Sequence, residues 1–147
     1  MKKLLTACCY LACALPALGA EVEHLNNSGS LPAGLPFSEA VRVDNTLYLS
    51  GQVAVAGGTM TLVSGGIGPE SKQVLANVLS VLESNGLGKK DVVKCTVMLA
   101  DIAEWGAFNE VYANFFSPPY PARSAFAASG LALDARVELE CLAVYPD

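Results

Sequence analysis

Between residues 71 and 115 the chain changes its hydrophobic period twice, and this limits the folds open to it. Over 71–85, Val74, Leu75, Val78, Leu79, Val81 and Leu82 form one helical stripe, and Gly86 is a suitable stop. Over 89–99 the period drops to two. Val93, Cys95, Val97 and Leu99 share one face, with Lys94, Thr96 and Met98 on the other. From Asp101 a helical stripe returns, with Trp105, Phe108, Tyr112 and Phe115 spaced by three, four and three. Glu104, three residues after Asp101, predicts a capping box, and Ser117-Pro118-Pro119 ends the segment. The aromatic stripe reads as core packing.

Strand patterns flank this middle section. Segments 39–43 and 46–50 surround Asp44-Asn45, a two-residue hairpin turn, and 52–55 and 60–63 surround Gly57-Gly58, a second hairpin. Two further strands are expected at 125–128 and 136–145. The order of hairpins, helix, strand, helix and two strands gives an α+β fold, one mixed sheet with two helices on one face. The length of 147 residues suits one domain. Residues 21–34, rich in Asn, Ser, Gly and Pro, read as a flexible arm before the domain at 35–147.

Composition matters most at the N-terminus. Hydrophobic residues make up 52% and charged residues 16%, which excludes disorder. Much of the apolar excess lies in 4–15, after Met1-Lys2-Lys3 and before Pro16, Ala17, Gly19 and Ala20. This is the pattern of a cleaved signal peptide at 1–20, too short to span a bilayer. The expectation is an exported protein, periplasmic or secreted, with no stable membrane association after cleavage. A lipobox reading of Leu5-Thr6-Ala7-Cys8 fails on the short apolar stretch before Cys8. Loss of the leader removes Cys8, Cys9 and Cys13 and shifts the net charge from −5 to −7. An acidic chain is a poor match for nucleic acid. Cys95 and Cys141 remain, both on apolar strand faces. They read as buried free thiols, and a disulfide requires neighbouring strands in suitable register.

Few residues offer chemistry. His24 is the single histidine, too little for a histidine-based metal site or a Ser–His relay, and no metal or cofactor is expected. Gly65-Gly66-Ile67-Gly68 lacks the flanks of a phosphate loop and reads as a turn. In the last strand, Glu138 and Glu140 share one face while Val137, Leu139 and Cys141 share the other. Alone this is a solvated sheet face, yet Leu142 and Val144 continue it with apolar residues, as a subunit interface does. Arg123, in Pro121-Ala122-Arg123-Ser124, has few acidic neighbours in sequence. It is either a surface arginine or a two-pronged holder of a carboxylate.

From about Leu35 to Tyr145 the sequence resembles the RidA (YjgF) family of reactive-intermediate deaminases. The resemblance rests on Leu35-Pro36-Phe37-Ser38-Glu39-Ala40, Leu49-Ser50-Gly51-Gln52-Val53, Gly65-Gly66-Ile67 and Asp91-Val92-Val93-Lys94-Cys95-Thr96-Val97. It continues in Asn109-Glu110-Val111-Tyr112, Phe115-Phe116, Pro121-Ala122-Arg123-Ser124 and Val137-Glu138-Leu139-Glu140. Each motif is weak alone; their order and spacing are specific.

The resemblance implies a chorismate-mutase-like fold, assembled as a homotrimer with clefts between subunits. It implies hydrolysis of 2-imino and enamine acids to 2-oxo acids and ammonia, without a cofactor. By motif, Arg123 holds the substrate carboxylate and Glu138 positions or activates the water. Phe37, Ser50 and Asn109 line the cleft, and backbone near Gly51 and Ala125 touches the substrate. Phe37 stands where the family carries a pocket tyrosine, and Ala125 where a reactive cysteine is often found. The 116–120 loop is short and proline-rich. The alternative implied by the same fold is a non-catalytic exported protein, a carboxylate binder or a holdase-type chaperone. A ribonuclease fits poorly with the charge of −7.

Overall fold

The hairpin expected around Asp44-Asn45 forms, with Val43 paired to Thr46 and Asp44 at φ 52°. In the computed structural model, residues 19–146 are described, so the leader expectation falls almost wholly outside the described residues. The strands are β1 (Val22–Leu25), β2 (Ala40–Val43), β3 (Thr46–Leu49), β4 (Gln52–Val53), β5 (Val92–Leu99), β6 (Ala122–Ala127) and β7 (Val137–Val144). The helices are α1 (Ile67–Ser84) and α2 (Trp105–Phe115). One sheet runs β1-β2-β3-β7-β5-β6, with β4 also pairing β7. Only β6 against β5 is parallel, so the sheet is mixed.

The stripe in α1 buries Val74, Leu75, Val78, Val81 and Leu82 against Leu47, Val97, Leu99, Leu139 and Phe108. Each such side chain contributes about 1.5–3 kcal/mol on burial. Asn77, also buried, donates to the carbonyls of Val53 and Val55 at 3.0 and 3.1 Å. It therefore ties α1 to the segment following β4.

Several expectations need correction. Residues 22–25 of the supposed flexible arm form β1, paired along β2. The next residues are held by Glu39, whose buried carboxylate accepts from Ser28 N and Ser28 Oγ at 2.9 and 2.7 Å. Helix α1 begins at Ile67, because Pro69 is tolerated within a first turn. Gly66 at φ 81° precedes it. The capping box at Asp101 is absent. Asp101 does accept from Ala103 N at 2.9 Å, but Glu104 turns to Arg136, 2.6 Å away. The β5 face departs from simple alternation at a bulge between Val92 and Lys94, which buries Val92 and exposes Val93. Strand β6 begins at Ala122, so Arg123 lies within a strand. The second hairpin is reduced to β4 and a single bridge, Val55 to Leu62.

The cysteines also differ from the free-thiol reading. Cys95 and Cys141 face each other across β5 and β7, and they form a disulfide.

Candidate active site

Register decides where the two candidate catalytic side chains go. Arg123 pairs with Cys95, and Cys95 pairs with the buried Cys141, so this row faces the helices. Glu138 belongs to the opposite parity. Its row runs Phe126, Met98, Glu138, Val53 across β6, β5, β7 and β4, on the face away from the helices. Within one chain, Arg123 and Glu138 therefore stand on opposite faces of the sheet.

The Arg123 half is built on α2. A cleft of about 300 Å³ is lined by Asn109, Tyr112, Ala113, Tyr120, Pro121 and Arg123. The Arg123 guanidinium carbon lies 4.6 Å from the ring centre of Tyr112 and 5.7 Å from that of Trp105. Among the described residues the salt bridge is Arg136 to Glu104, which leaves Arg123 without a carboxylate. Burial pushes the Tyr112 hydroxyl above its ordinary range, partly offset by the charge of Arg123. Ala125 lies on the same sheet face as Arg123 but packs on the core. As β6 ends the sheet, its outer backbone edge has no strand partner among the described residues.

The Glu138 half is built on a bulge. Tyr48 pairs with Leu142 and Gln52 with Leu139, a slip of one residue that falls at Leu49-Ser50-Gly51. Gly51 lies directly beneath the Glu138 side chain; a Cβ there would stand only 3.0 Å from the carboxyl carbon. Apolar neighbours desolvate this carboxyl and Glu140 adds a like charge, so its pKa is raised above the ordinary 4.5. A carboxyl shifted this way is suited to exchanging protons. Ser50 Oγ donates to the Ser38 carbonyl at 2.7 Å, so its hydroxyl secures the segment before β2.

The structure thus joins Arg123 with Asn109 on one face and Gly51 with Glu138 on the other, while Ser50 turns its hydroxyl to the Ser38 carbonyl. Phe37 is not among the residues lining the Arg123 cleft. It is 48% exposed and lines a separate cavity with Asn26, Leu31, Leu35 and Glu39. Trp105, Tyr112 and Tyr120 were missed as neighbours of Arg123. The signal was present, since Trp105 and Tyr112 lie two helical turns apart on one stripe.

Comparison with known proteins identifies the family and the fold. The family model described as Endoribonuclease L-PSP matches residues 28–145. The chain is similar to the 2-iminobutanoate/2-iminopropanoate deaminase of Capra hircus, 40% identical over 124 residues, covering 84% of this chain and 90% of that protein. Among solved structures it is similar to RidA from a Psychrobacter species, with TM-score 0.78 and 34% identity, covering 83% of this chain and 98% of that one. It is also similar to Escherichia coli TdcF with bound serine, with TM-score 0.77 and 27% identity, covering 84% and 99%. The mixed sheet with two helices is the fold of these structures, and the chain belongs to the RidA/YjgF family, also described as Endoribonuclease L-PSP.

Proposed function

We propose that this protein hydrolyses reactive 2-imino and enamine acids to 2-oxo acids and ammonia, in clefts completed by a second copy of the chain. One observation carries the reading: Arg123, with no carboxylate partner among the described residues, and Glu138, desolvated and of raised pKa, occupy opposite faces of one sheet. Neither half suffices alone. Arg123 of one copy set against Glu138 of another gives both the carboxylate holder and the base.

The face bearing Glu138 supports such an assembly. Tyr48, Val93 and Phe126 are each nearly half exposed there, an apolar surface that a subunit of a homotrimer would cover. The chemistry is modest. The imine carbon is already electrophilic, so orientation through Arg123 and proton transfer through Glu138 supply the required catalysis. Asn109 flanks the Arg123 side, and the unpaired β6 edge near Ala125 offers backbone donors. Similarity to the Capra hircus deaminase, and to a relative crystallised with a bound amino acid, supports this substrate class.

The chain is proposed to act outside the reducing cytoplasm, after loss of the leader. The Cys95–Cys141 disulfide supports this, since such bonds persist in oxidising compartments. Mass spectrometry of the exported protein without reductant checks both the bond and the new N-terminus.

The test of function is ammonia release from 2-iminopropanoate generated in situ by an amino-acid oxidase. At substrate concentrations well below KM, wild type is expected to accelerate hydrolysis about tenfold or more over Arg123→Ala, whose loss lies mainly in KM. Equal acceleration by both overturns the site. Binding of a 2-oxo acid without acceleration by wild type favours the carboxylate-binding alternative, and a monomer in light scattering at micromolar concentration overturns the shared cleft.

A further inference from the structure

We infer that Trp105 and Tyr112 are positioning residues for Arg123, two aromatic rings of α2 that hold its guanidinium beside the cleft while leaving its hydrogen-bond donors free. The inference rests on the proposed role of Arg123 as the carboxylate holder.

A long arginine side chain has large rotamer entropy, and a binding role requires it to be held in one place. The usual way to hold an arginine is a carboxylate, which would occupy its N–H donors and compete with the substrate. Arg123 has no such partner among the described residues. Instead its guanidinium carbon lies 4.6 Å from the Tyr112 ring centre and 5.7 Å from that of Trp105, both within cation–π range. Attraction to a ring acts on the charge of the guanidinium and consumes none of its five donors.

The platform is itself fixed. Tyr112 is 4% exposed and its ring centre lies 5.6 Å from Phe108 and 4.7 Å from Phe116. Its hydroxyl is buried and has no hydrogen-bond partner among the described residues. Packing, then, accounts for the ring's position without the hydroxyl. Trp105 is different, at 43% exposed, on the first turn of the same helix. It lies seven residues from Tyr112, about two turns away on the same side. Tryptophan is also the best aromatic partner for a cation.

Trp105 is the single tryptophan of the chain, so its fluorescence reports on this clamp. The experiment combines steady-state kinetics on 2-iminopropanoate with titration of the assembled protein by 2-oxobutanoate. Wild type is expected to give a saturable fluorescence change that Arg123→Ala abolishes. Trp105→Ala and Tyr112→Ala are expected to raise KM about tenfold with kcat within about twofold. Trp105→Phe and Tyr112→Phe, which keep a ring, recover most of the loss. A structural role alone would not give this rescue and KM-against-kcat split. If Tyr112→Ala does not fold, the exposed Trp105 carries the test. A Trp105→Ala KM within twofold of wild type overturns the clamp, while a raised KM in Arg123→Ala leaves the carboxylate reading standing. An unchanged KM in Arg123→Ala overturns that reading itself.

Discussion

Arg123 and Glu138 stand two strands apart on opposite faces of one sheet, and their surroundings differ in kind. Arg123 lies against aromatic rings at an edge strand. Glu138 lies on a strand paired on both sides, in a row with Phe126, Met98 and Val53. The rings leave a permanent cation charged and free to bind. The apolar row raises the pKa of a carboxyl and so prepares it to take or give a proton. In the proposed shared cleft one sheet would provide both environments, which a single pocket in one chain would force into conflict.

The largest effect expected from separating the halves is complementation. Glu138→Gln should lower kcat by about 10²–10⁴-fold, the usual worth of a proton-transfer group. Arg123→Ala should cost about 1.5–3 kcal/mol, seen mainly in KM. Co-expressed, the two variants should recover about a quarter of wild-type activity, because random assembly places an intact arginine beside an intact glutamate in that share of clefts. No recovery in mixed oligomers would place both groups in the same chain and break the comparison.

The disulfide gives the next largest effect, on stability. It joins β5, neighbour of the Arg123 strand, to β7, which carries Glu138. With the cysteines 46 residues apart, loop closure predicts about 4 kcal/mol lost on replacing both by alanine. Denaturant unfolding measures this. Since the bond faces the core, KM should stay within about twofold under native conditions. A rise in KM at unchanged stability would mean that the bond sets the geometry of the halves and not the stability of the sheet.

Much of the fold was legible because its signals are local. The stripe of α1, the Asp44-Asn45 turn and the β7 alternation each depend on a few adjacent residues, and each appears in the structure. The relation between the halves was not legible in this way. Whether Arg123 faces the helices depends on pairing through Cys95 to Cys141, three strands whose register no local pattern states. The disulfide was hidden for the same reason. Strand β1 was hidden because Val22-Glu23-His24-Leu25 is short and polar, and its order comes from β2 and the Glu39 carboxylate. Motifs alone pointed to Arg123, Asn109, Ser50, Gly51 and Glu138 as candidates, yet gave no sign of which sheet face each would take.

Gly51→Ala sharpens the Glu138 side. The backbone there tolerates alanine, but the new methyl would meet the end of the Glu138 side chain. A flexible side chain gives way at small cost, so stability should change by less than about 1 kcal/mol. The carboxylate, however, is displaced from its place over Gly51. A fall in kcat of about tenfold or more is expected, with KM nearly unchanged, because positioning errors of about 1 Å are costly. An equal loss in the thermal midpoint and in kcat would show that Gly51 supports the fold and not the base.

Glu140→Gln should have the smallest effect, visible only in the pH dependence. In the proposed mechanism Glu138 works as a base when deprotonated, so activity should rise with pH through its pKa, which lies above the ordinary 4.5. Burial is the larger cause and the Glu140 charge the smaller. Removing that charge should shift the acidic limb of kcat downward, yet leave it above the ordinary carboxylate value. The stability sign agrees. A carboxyl with a raised folded pKa contributes stability below its unfolded pKa and loses it as pH rises through the folded one. Glu140→Gln should therefore soften that loss. The plateau kcat should stay unchanged, and Tyr112→Phe, on the other face, should leave the limb in place. A limb that moves with Tyr112 and not with Glu140 would assign the proton transfer to the arginine half.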